Sequence, residues 1–236
     1  MIKGDAFVQD ANSPYFVDKS LLIGELIPRI ETNANYICIT RPRRFGKTVA
    51  ANMLAAFFSR ARDTRKVFDG LKISDFKQYE DYIGKYDIIF ISLNELPRKC
   101  QDYESYITRI EDRLLEDLKT AYPKANIRPD DAVWDALSSI YNAYDSKRFI
   151  FILDEWDFIF HRDFIKDQDK KAYIDFLSNL LKGKAYVSLA YMTGILPIAK
   201  YSSGSELNMF LEYTMAAEEL FGNYFGFTET EVDMLY

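Results

Sequence analysis

The residues best suited to chemistry lie where a basic loop ends in Gly46, Lys47 and Thr48. Residues 36–40 before the loop indicate an apolar strand, and the apolar run from Val49 indicates a helix. A Gly-Lys-Thr sequence at such a strand-to-helix junction cradles nucleotide phosphates, because backbone N–H groups and the helix dipole face the anion. We therefore predict that Lys47 binds the outer phosphates and that Thr48 binds Mg²⁺.

Arg41 departs from the general form of this phosphate loop, which has a glycine five residues before Gly46. Glycine supplies backbone torsions that arginine rarely adopts, so the loop is assigned from its flanking strand and helix. Arg43 and Arg44 add two cations, which either contact phosphate or lie in a solvated turn. The residues predicted to bind nucleotide here are Arg41, Pro42, Arg43, Arg44, Phe45, Gly46, Lys47, Thr48 and Val49.

A second candidate stretch begins with the apolar residues 149–153, which run directly into Asp154 and Glu155. Carboxylates at the carboxyl end of a buried parallel strand lie where ligands bind in open α/β sheets. We predict that Asp154 holds Mg²⁺ together with Thr48, and that Glu155 orients or deprotonates an attacking water. The alternative is a strand that merely ends in acids. Asp157 is interpreted as a cap of the following segment.

Thr193 is the third catalytic candidate, beside Lys47 and Glu155. It follows the strand predicted over residues 186–192. A polar residue at this strand end is placed to contact the γ-phosphate or the attacking water. An ordinary turn is the alternative, since Thr-Gly often ends a strand.

The remaining segments supply the elements that position these residues. Residues 15–17 either pack beside the first strand or line a base pocket, and we predict that Tyr15 and Phe16 contact nucleotide. The other predicted elements are a polar arm over 1–14, an amphipathic helix with Leu21, Leu22, Leu26 and Ile30 on one face, a strand over 86–96 buried on both faces, helices over 102–120, 131–144 and 170–183, a short strand or helix over 209–215, and a capping-box helix start at Thr228.

Composition limits the class of protein. The 236 residues carry a net charge of −6, which argues against a surface that coats nucleic acid. The only cysteines, Cys38 and Cys100, lack metal-site spacing and are expected to be reduced thiols. The start lacks an apolar signal core, and no run of eighteen apolar residues occurs, so we expect a cytoplasmic protein without a membrane contact.

The chain resembles the AAA-ATPase-like family of P-loop NTPases in six stretches that follow the family's order. These are YFVDKS at 15–20, RPRRFGKT at 41–48, VFDGLKIS at 67–74, LDEWD at 153–157, TGILPIAKYSSGSELNMFLEYTM at 193–215 and FGFTETEV at 225–232. The family's own phosphate loop resembles RPRRFGKS, so Arg41 departs from the general pattern and not from this family. Trp156 and Phe158 stand where relatives tend to have tyrosine and lysine-proline.

The resemblance implies phosphate and magnesium binding by Lys47 and Thr48, metal and water contacts by Asp154 and Glu155, and a sensor role for Thr193. We predict an α/β, three-layer P-loop NTPase domain of the additional-glutamate type over 1–224. It has a mostly parallel five-stranded sheet and a helical insertion at 97–147. Residues 225–236 are expected to begin a helical lid that is truncated here.

The predicted function is binding and hydrolysis of ATP with Mg²⁺, the two cofactors implied. An ATP-dependent switch or scaffold with little turnover, which regulates an attached nuclease or partner, stays open as an alternative. A small-molecule kinase lacks a recognisable acceptor pocket, and a DNA-stimulated motor is disfavoured by the acidic charge. Relatives often carry a C-terminal nuclease-like domain. We expect any arginine finger to come from a second copy or a partner. We expect nucleic acid to be bound only through missing or partner domains.

Overall fold

The computed structural model describes residues 4–202, 204–215 and 220–235. The strands of this part are β1 (Tyr36–Thr40), β2 (Asp87–Ser92), β3 (Phe149–Asp154), β4 (Val187–Gly194) and β5 (Leu211–Thr214). The helices are α1 (Gly4–Ala11), α2 (Leu21–Leu26), α3 (Lys47–Phe58), α4 (Arg65–Phe68), α5 (Tyr79–Tyr82), α6 (Tyr103–Ala121), α7 (Val133–Ala143), α8 (Asp167–Leu181) and α9 (Glu229–Leu235).

The five strands form one sheet in the order β2-β3-β4-β1-β5, and every neighbouring pair is parallel. This confirms the predicted α/β fold. Ser92 pairs with Asp154, and Thr40 pairs with Gly194, so the carboxyl ends of four strands meet at one edge. The predicted catalytic strand ends therefore share a single edge of the sheet.

Helices cover both faces of the sheet and make three layers. Along β3, Phe149, Phe151 and Leu153 face the core shared with α6, α7 and α8, whereas Ile150 and Ile152 face the core shared with α3. All six β3 residues are buried, as expected for a central parallel strand covered on both faces. Helix α3 is apolar on nearly all sides, because it lies inside the core that it shares with Ile150 and Ile152.

Strand β2 is shorter and less buried than predicted. It ends at Ser92, and only Ile89 and Ile91 among its residues are buried. Both faces of β2 pack on a core, as predicted, but Ile88 and Phe90 are only partly buried because β2 is an edge strand of the sheet.

The N-terminal region also differs from the prediction. Residues 4–11 form helix α1 where we predicted a polar arm, and residues 1–3 of that arm lie outside the described residues. Phe7 is fully buried and stacks on Phe68 with ring centroids 5.2 Å apart. In α2, Leu22 and Leu26 are buried as predicted, but Leu21 is 41% exposed and Ile23 occupies the core instead.

Helix α9 begins with the predicted capping box. Thr228 N donates to Glu231 Oε2 at 2.8 Å, and Glu231 N donates to Thr228 Oγ1 at 3.3 Å. These reciprocal bonds satisfy two backbone donors at the helix start.

Cys38 and Cys100 are both free thiols. Within the described ranges, none of the helices has the length and apolar character needed to cross a membrane.

Candidate active site

The phosphate loop joins β1 to α3 without left-handed torsions at Arg41. Its positive-φ residues are Arg44, at 69°, and Gly46, at 76°. Gly46 supplies the left-handed residue immediately before α3, where glycine carries no steric penalty. The conformation of this loop therefore does not depend on a glycine at position 41.

Lys47 is buried inside the loop, with 6% of its surface exposed. Its ammonium donates to Arg41 O at 2.9 Å and to Pro42 O at 2.8 Å. An ammonium has three donors, so these two bonds leave one for a phosphate oxygen. Burial lowers the pKa of Lys47, and the nearby carboxylates of Glu155 and Asp154 oppose that shift.

Asp154 connects the two hydroxyl groups predicted to work with it. Thr48 Oγ1 donates to Asp154 Oδ2 at 2.8 Å, and Thr193 Oγ1 donates to Asp154 Oδ1 at 2.6 Å. Asp154 is 2% exposed, so both oxygens of a buried carboxylate are satisfied. Residues far apart in the sequence thus meet at the ends of α3, β3 and β4.

Glu155 has an unusual backbone conformation for its residue type, with φ of 56°. A non-glycine residue in this region typically costs about 1–3 kcal/mol, and such residues cluster at functional sites. Glu155 N donates to Thr193 Oγ1 at 3.2 Å, which ties the strained turn to β4.

Asn94 is a site residue that we did not predict. Its Nδ2 donates to Glu155 Oε2 at 3.0 Å. Asn94 lies two residues after β2, at the same sheet edge as Asp154. That position, after a strand parallel to the acidic one, was the signal that could have identified it.

The chemistry of Thr48 and Asp154 fits a magnesium ion. Mg²⁺ prefers oxygen ligands and is commonly held by one or two protein groups together with substrate phosphates. In the part of the chain that the structure describes, no group of three or more His, Cys, Asp or Glu side chains could hold a metal. Magnesium at this site would therefore complete its shell with nucleotide oxygens and water.

A cavity of about 230 Å³ lies beside the phosphate loop. Phe45 and Gly46 of the loop and Val49 of α3 line it. Tyr15 and Phe16, the two residues predicted to contact nucleotide outside the loop, also line it. Its other lining residues are Phe7, Asp10, Ser13, Val17, Lys19, Arg44, Ala50, Met53, Tyr224, Gly226 and Phe227.

Comparison with known proteins bears on this arrangement. The family described as a predicted AAA-ATPase matches residues 8–203. This chain belongs to the AAA-ATPase-like family. The match includes the phosphate loop, the acidic pair after β3 and the hydroxyl at the end of β4, so nucleotide binding is the general assignment that the family supports.

One relative of this AAA-ATPase-like chain is the "Uncharacterized protein in vnfD 5'region" of Azotobacter chroococcum mcd 1. The two are 25% identical over an alignment of 236 positions, which covers 98% of this chain and 43% of the relative. The chain thus spans less than half the length of that relative.

The loop arginines of the AAA-ATPase-like chain lie in three different environments. Arg44 lines the cavity, and Arg43 is exposed in the loop. Arg41 is buried, with 3% of its surface exposed, and its guanidinium donates to Tyr213 O at 3.1 Å. The backbone carbonyl of Arg41 accepts from Lys47 Nζ.

Asp157 does not cap the segment that follows it, which corrects the prediction. Its buried carboxylate instead accepts from Ile195 N at 3.1 Å and from Leu196 N at 2.9 Å. Asp157 therefore holds the loop after β4. The side chain of His161 is 40% exposed, and its Nε2 lies 4.0 Å from Asp157 Oδ2.

Glu212 holds the same loop from the other side and was also not predicted. Its Oε1 accepts from Thr40 Oγ1 and from Ile198 N, both at 2.9 Å. The Glu212 carboxylate thereby links two segments. One is the end of β1, where the phosphate loop starts, and the other is the loop after β4.

Trp156, which departs from the family pattern, lies fully buried beside the site. Its carbonyl accepts from Tyr173 Oη at 2.7 Å, and its ring packs edge-to-face on Phe160 and Tyr201. Trp156 therefore belongs to the core that lies beside Asp154 and Glu155.

Proposed function

We propose that this AAA-ATPase-like protein binds ATP with Mg²⁺ and hydrolyses it. The observation that carries the proposal is the hydrogen-bonded set formed by Thr48, Asp154, Thr193 and Glu155 beside the buried Lys47. Phosphoryl transfer requires positioned positive charge, an oxygen-rich metal site and a base near the attacking water. This sheet edge brings together residues suited to all three tasks.

Lys47 would bind the outer phosphates with its remaining donor, while backbone N–H groups of the loop and the start of α3 face the chain of phosphates. Thr48 and Asp154 would hold Mg²⁺, which neutralises charge on the β- and γ-phosphates when it is bound. The purine base of ATP would occupy the adjoining cavity and stack on the aromatic rings of Tyr15 and Phe16.

Glu155 would act as the general base. Its Oε2 is occupied by Asn94, so Oε1 is the oxygen that faces the attacking water. The water oxygen bonds to the γ-phosphorus and passes a proton to Glu155, and the bond to the β–γ bridging oxygen breaks. ADP and inorganic phosphate are the products. Thr193 is fully buried and its one hydroxyl proton goes to Asp154, so it would act by orienting the Asp154 carboxylate.

An ATP-dependent switch with little turnover is the second candidate, and the bond between Asn94 and Glu155 favours it. A general base whose carboxylate accepts a hydrogen bond from an amide is less available for proton transfer. The regulated nuclease or partner, and an arginine finger from a second copy or another subunit, stay predictions.

The test that separates hydrolysis from switching is Glu155→Gln. The amide keeps the side-chain shape but cannot accept the proton, so we expect turnover to fall roughly 10²–10⁴-fold. ATP affinity should change less than about twofold, because Glu155 does not contribute to the phosphate-binding loop. Calorimetric titration of Mg-ATP and single-turnover phosphate release measure the two quantities.

Glu116→Gln on the exposed surface of α6 is the matched control and should leave both quantities unchanged. A wild-type protein that binds ATP without turnover would establish the switch instead. A wild-type protein that binds no ATP would overturn both functions.

A further inference from the structure

The C-terminal strap, residues 220–235, crosses the phosphate-loop region and lies outside the part of the chain matched by the family. Two of its aromatic side chains are buried: Phe221 is fully buried, and Phe225 is 6% exposed. Phe221 packs edge-to-face on Tyr213 of β5, with ring centroids 4.6 Å apart. The strap is therefore docked on the domain by aromatic anchors.

Arg41 lies under one of these anchors. Its guanidinium carbon is 5.6 Å from the centre of the Phe225 ring, within the range of a cation–π interaction. The same group donates to Thr40 O at 3.0 Å and to Tyr213 O at 3.1 Å. The side chain thus links the end of β1 to β5 and to the strap.

The backbone of Arg41 belongs to the phosphate site. Arg41 N donates to Gly194 O at 3.1 Å, and Arg41 O accepts from Lys47 Nζ at 2.9 Å. One residue therefore contacts the predicted phosphate-binding lysine through its backbone and the strap through its side chain. Since φ at Arg41 is not positive, glycine's freedom is not what this position requires.

The strap also contacts the loop directly. Gly226 N donates to Phe45 O at 3.2 Å, and a Cβ at Gly226 would lie 3.1 Å from the Phe45 ring. Lys19, which lines the cavity, donates to Asn223 O at 2.7 Å and pairs with Glu231 at 2.6 Å. A nucleotide in the cavity would therefore lie between the loop and the strap.

We propose that Arg41 is a positioning residue that couples nucleotide binding at the phosphate loop to docking of the C-terminal strap. Arginine at this position supplies a side chain that a glycine cannot, and it acts through Phe225 and Tyr213 without touching the nucleotide. Because coupling between two sites is reciprocal, the nucleotide stabilises the strap and the strap stabilises the nucleotide-binding loop. The nucleotide half of this inference rests on the proposed function.

The experiment is amide hydrogen exchange of strap peptides, with and without Mg-ATP, in the wild type, Arg41→Gly and Arg41→Met. We expect Mg-ATP to slow strap exchange about tenfold in the wild type, a typical size for coupling between sites. Both variants should exchange about tenfold faster without nucleotide, lose the response to Mg-ATP and bind Mg-ATP about tenfold more weakly. Arg41→Gly is the decisive variant because it restores the general glycine pattern.

Arg65→Met is the matched control, since Arg65 also lies over a ring, that of Tyr79 at 6.0 Å, but away from the strap. It should leave strap exchange unchanged. Phe225→Leu removes the strap's ring over Arg41. It should weaken Mg-ATP binding although Phe225 does not line the cavity. The double variant Arg41→Met, Phe225→Leu should lose no more Mg-ATP affinity than either single variant.

Unchanged strap exchange in Arg41→Gly, with ATP binding equal to or tighter than the wild type, would overturn the inference. So would strap exchange that does not respond to Mg-ATP in a wild type that binds it. A wild type that binds no Mg-ATP would overturn the proposed function and the nucleotide coupling. The exchange rates without nucleotide would then still decide whether Arg41 anchors the strap.

Discussion

The two halves of the candidate site are built differently. The phosphate half is built around two buried charged groups, Lys47 and Asp154, whose side chains make hydrogen bonds of 2.6 to 2.9 Å. The base half is an aromatic cavity whose outer residues are exposed, Tyr15 at 70% and Phe227 at 59%. The first half comes from the sheet edge, and the second from segments that flank it.

Under the proposed function, this difference corresponds to two tasks. Transition-state charge must be met by groups already in place, which suits the buried and hydrogen-bonded Lys47 and Asp154. A base is held mainly by stacking, which tolerates movement of the rings. Inorganic tripolyphosphate, which has no base, separates the two halves experimentally.

The largest expected effect is on the phosphate half. Lys47→Met keeps apolar bulk but removes the buried ammonium, and a charged hydrogen bond contributes up to about 3 kcal/mol. We expect ATP and tripolyphosphate affinities both to fall roughly 100-fold in calorimetric titrations. A loss confined to ATP would contradict the division of the site into these two halves.

Phe227→Ala tests the base half. Stacking of a base on an aromatic ring contributes about 1–3 kcal/mol, so ATP affinity should fall at least about fivefold. Tripolyphosphate affinity should stay at the wild-type value. The control is Leu220→Ala, an exposed apolar residue of the strap that does not line the cavity.

Asn94→Ala should change the turnover rate but leave the affinities for ATP and tripolyphosphate at their wild-type values. Loss of its bond frees the Glu155 carboxylate to rotate, and we expect kcat to fall about tenfold with KM unchanged. Steady-state kinetics measure this. A rise in kcat would instead indicate that Asn94 restrains Glu155, as the switch function requires.

Glu231→Gln should have the smallest effect. It removes a partly exposed ion pair with Lys19, and such pairs contribute about 0.2–1 kcal/mol. ATP affinity should fall less than about fivefold, and added salt should reduce the difference between variant and wild type. Glu229→Gln, on an exposed neighbour in α9, should match the wild type at every salt concentration.

Much of the phosphate half was predictable because its residues follow strands or open a helix. Asp154, Glu155 and Thr193 each come directly at the end of an apolar run, and parallel strands bring such ends to one edge. The same logic predicted the strands themselves. It overestimated the burial of β2, since no local pattern shows which strand lies at an edge.

The base half was only partly predictable. Tyr15 and Phe16 were identified, but Phe227 and Lys19 reach the cavity through contacts between the two ends of the chain. The role of the Arg41 side chain likewise depends on Phe225, far along the sequence. Local patterns carry no signal for such pairings, because tertiary packing alone creates them.

The strand order determines when during synthesis the protein can first hold a ligand. Strand β1 is made early, yet Tyr36 pairs with Ala190, and Ile37 pairs with Leu211. Until those partners leave the ribosome, β1 has no neighbour and the loop after it has no support. Non-local pairing of this kind is slow and leaves unpaired strands open to aggregation. We therefore expect the nascent chain to gain its phosphate site in one late step, after β5 has emerged.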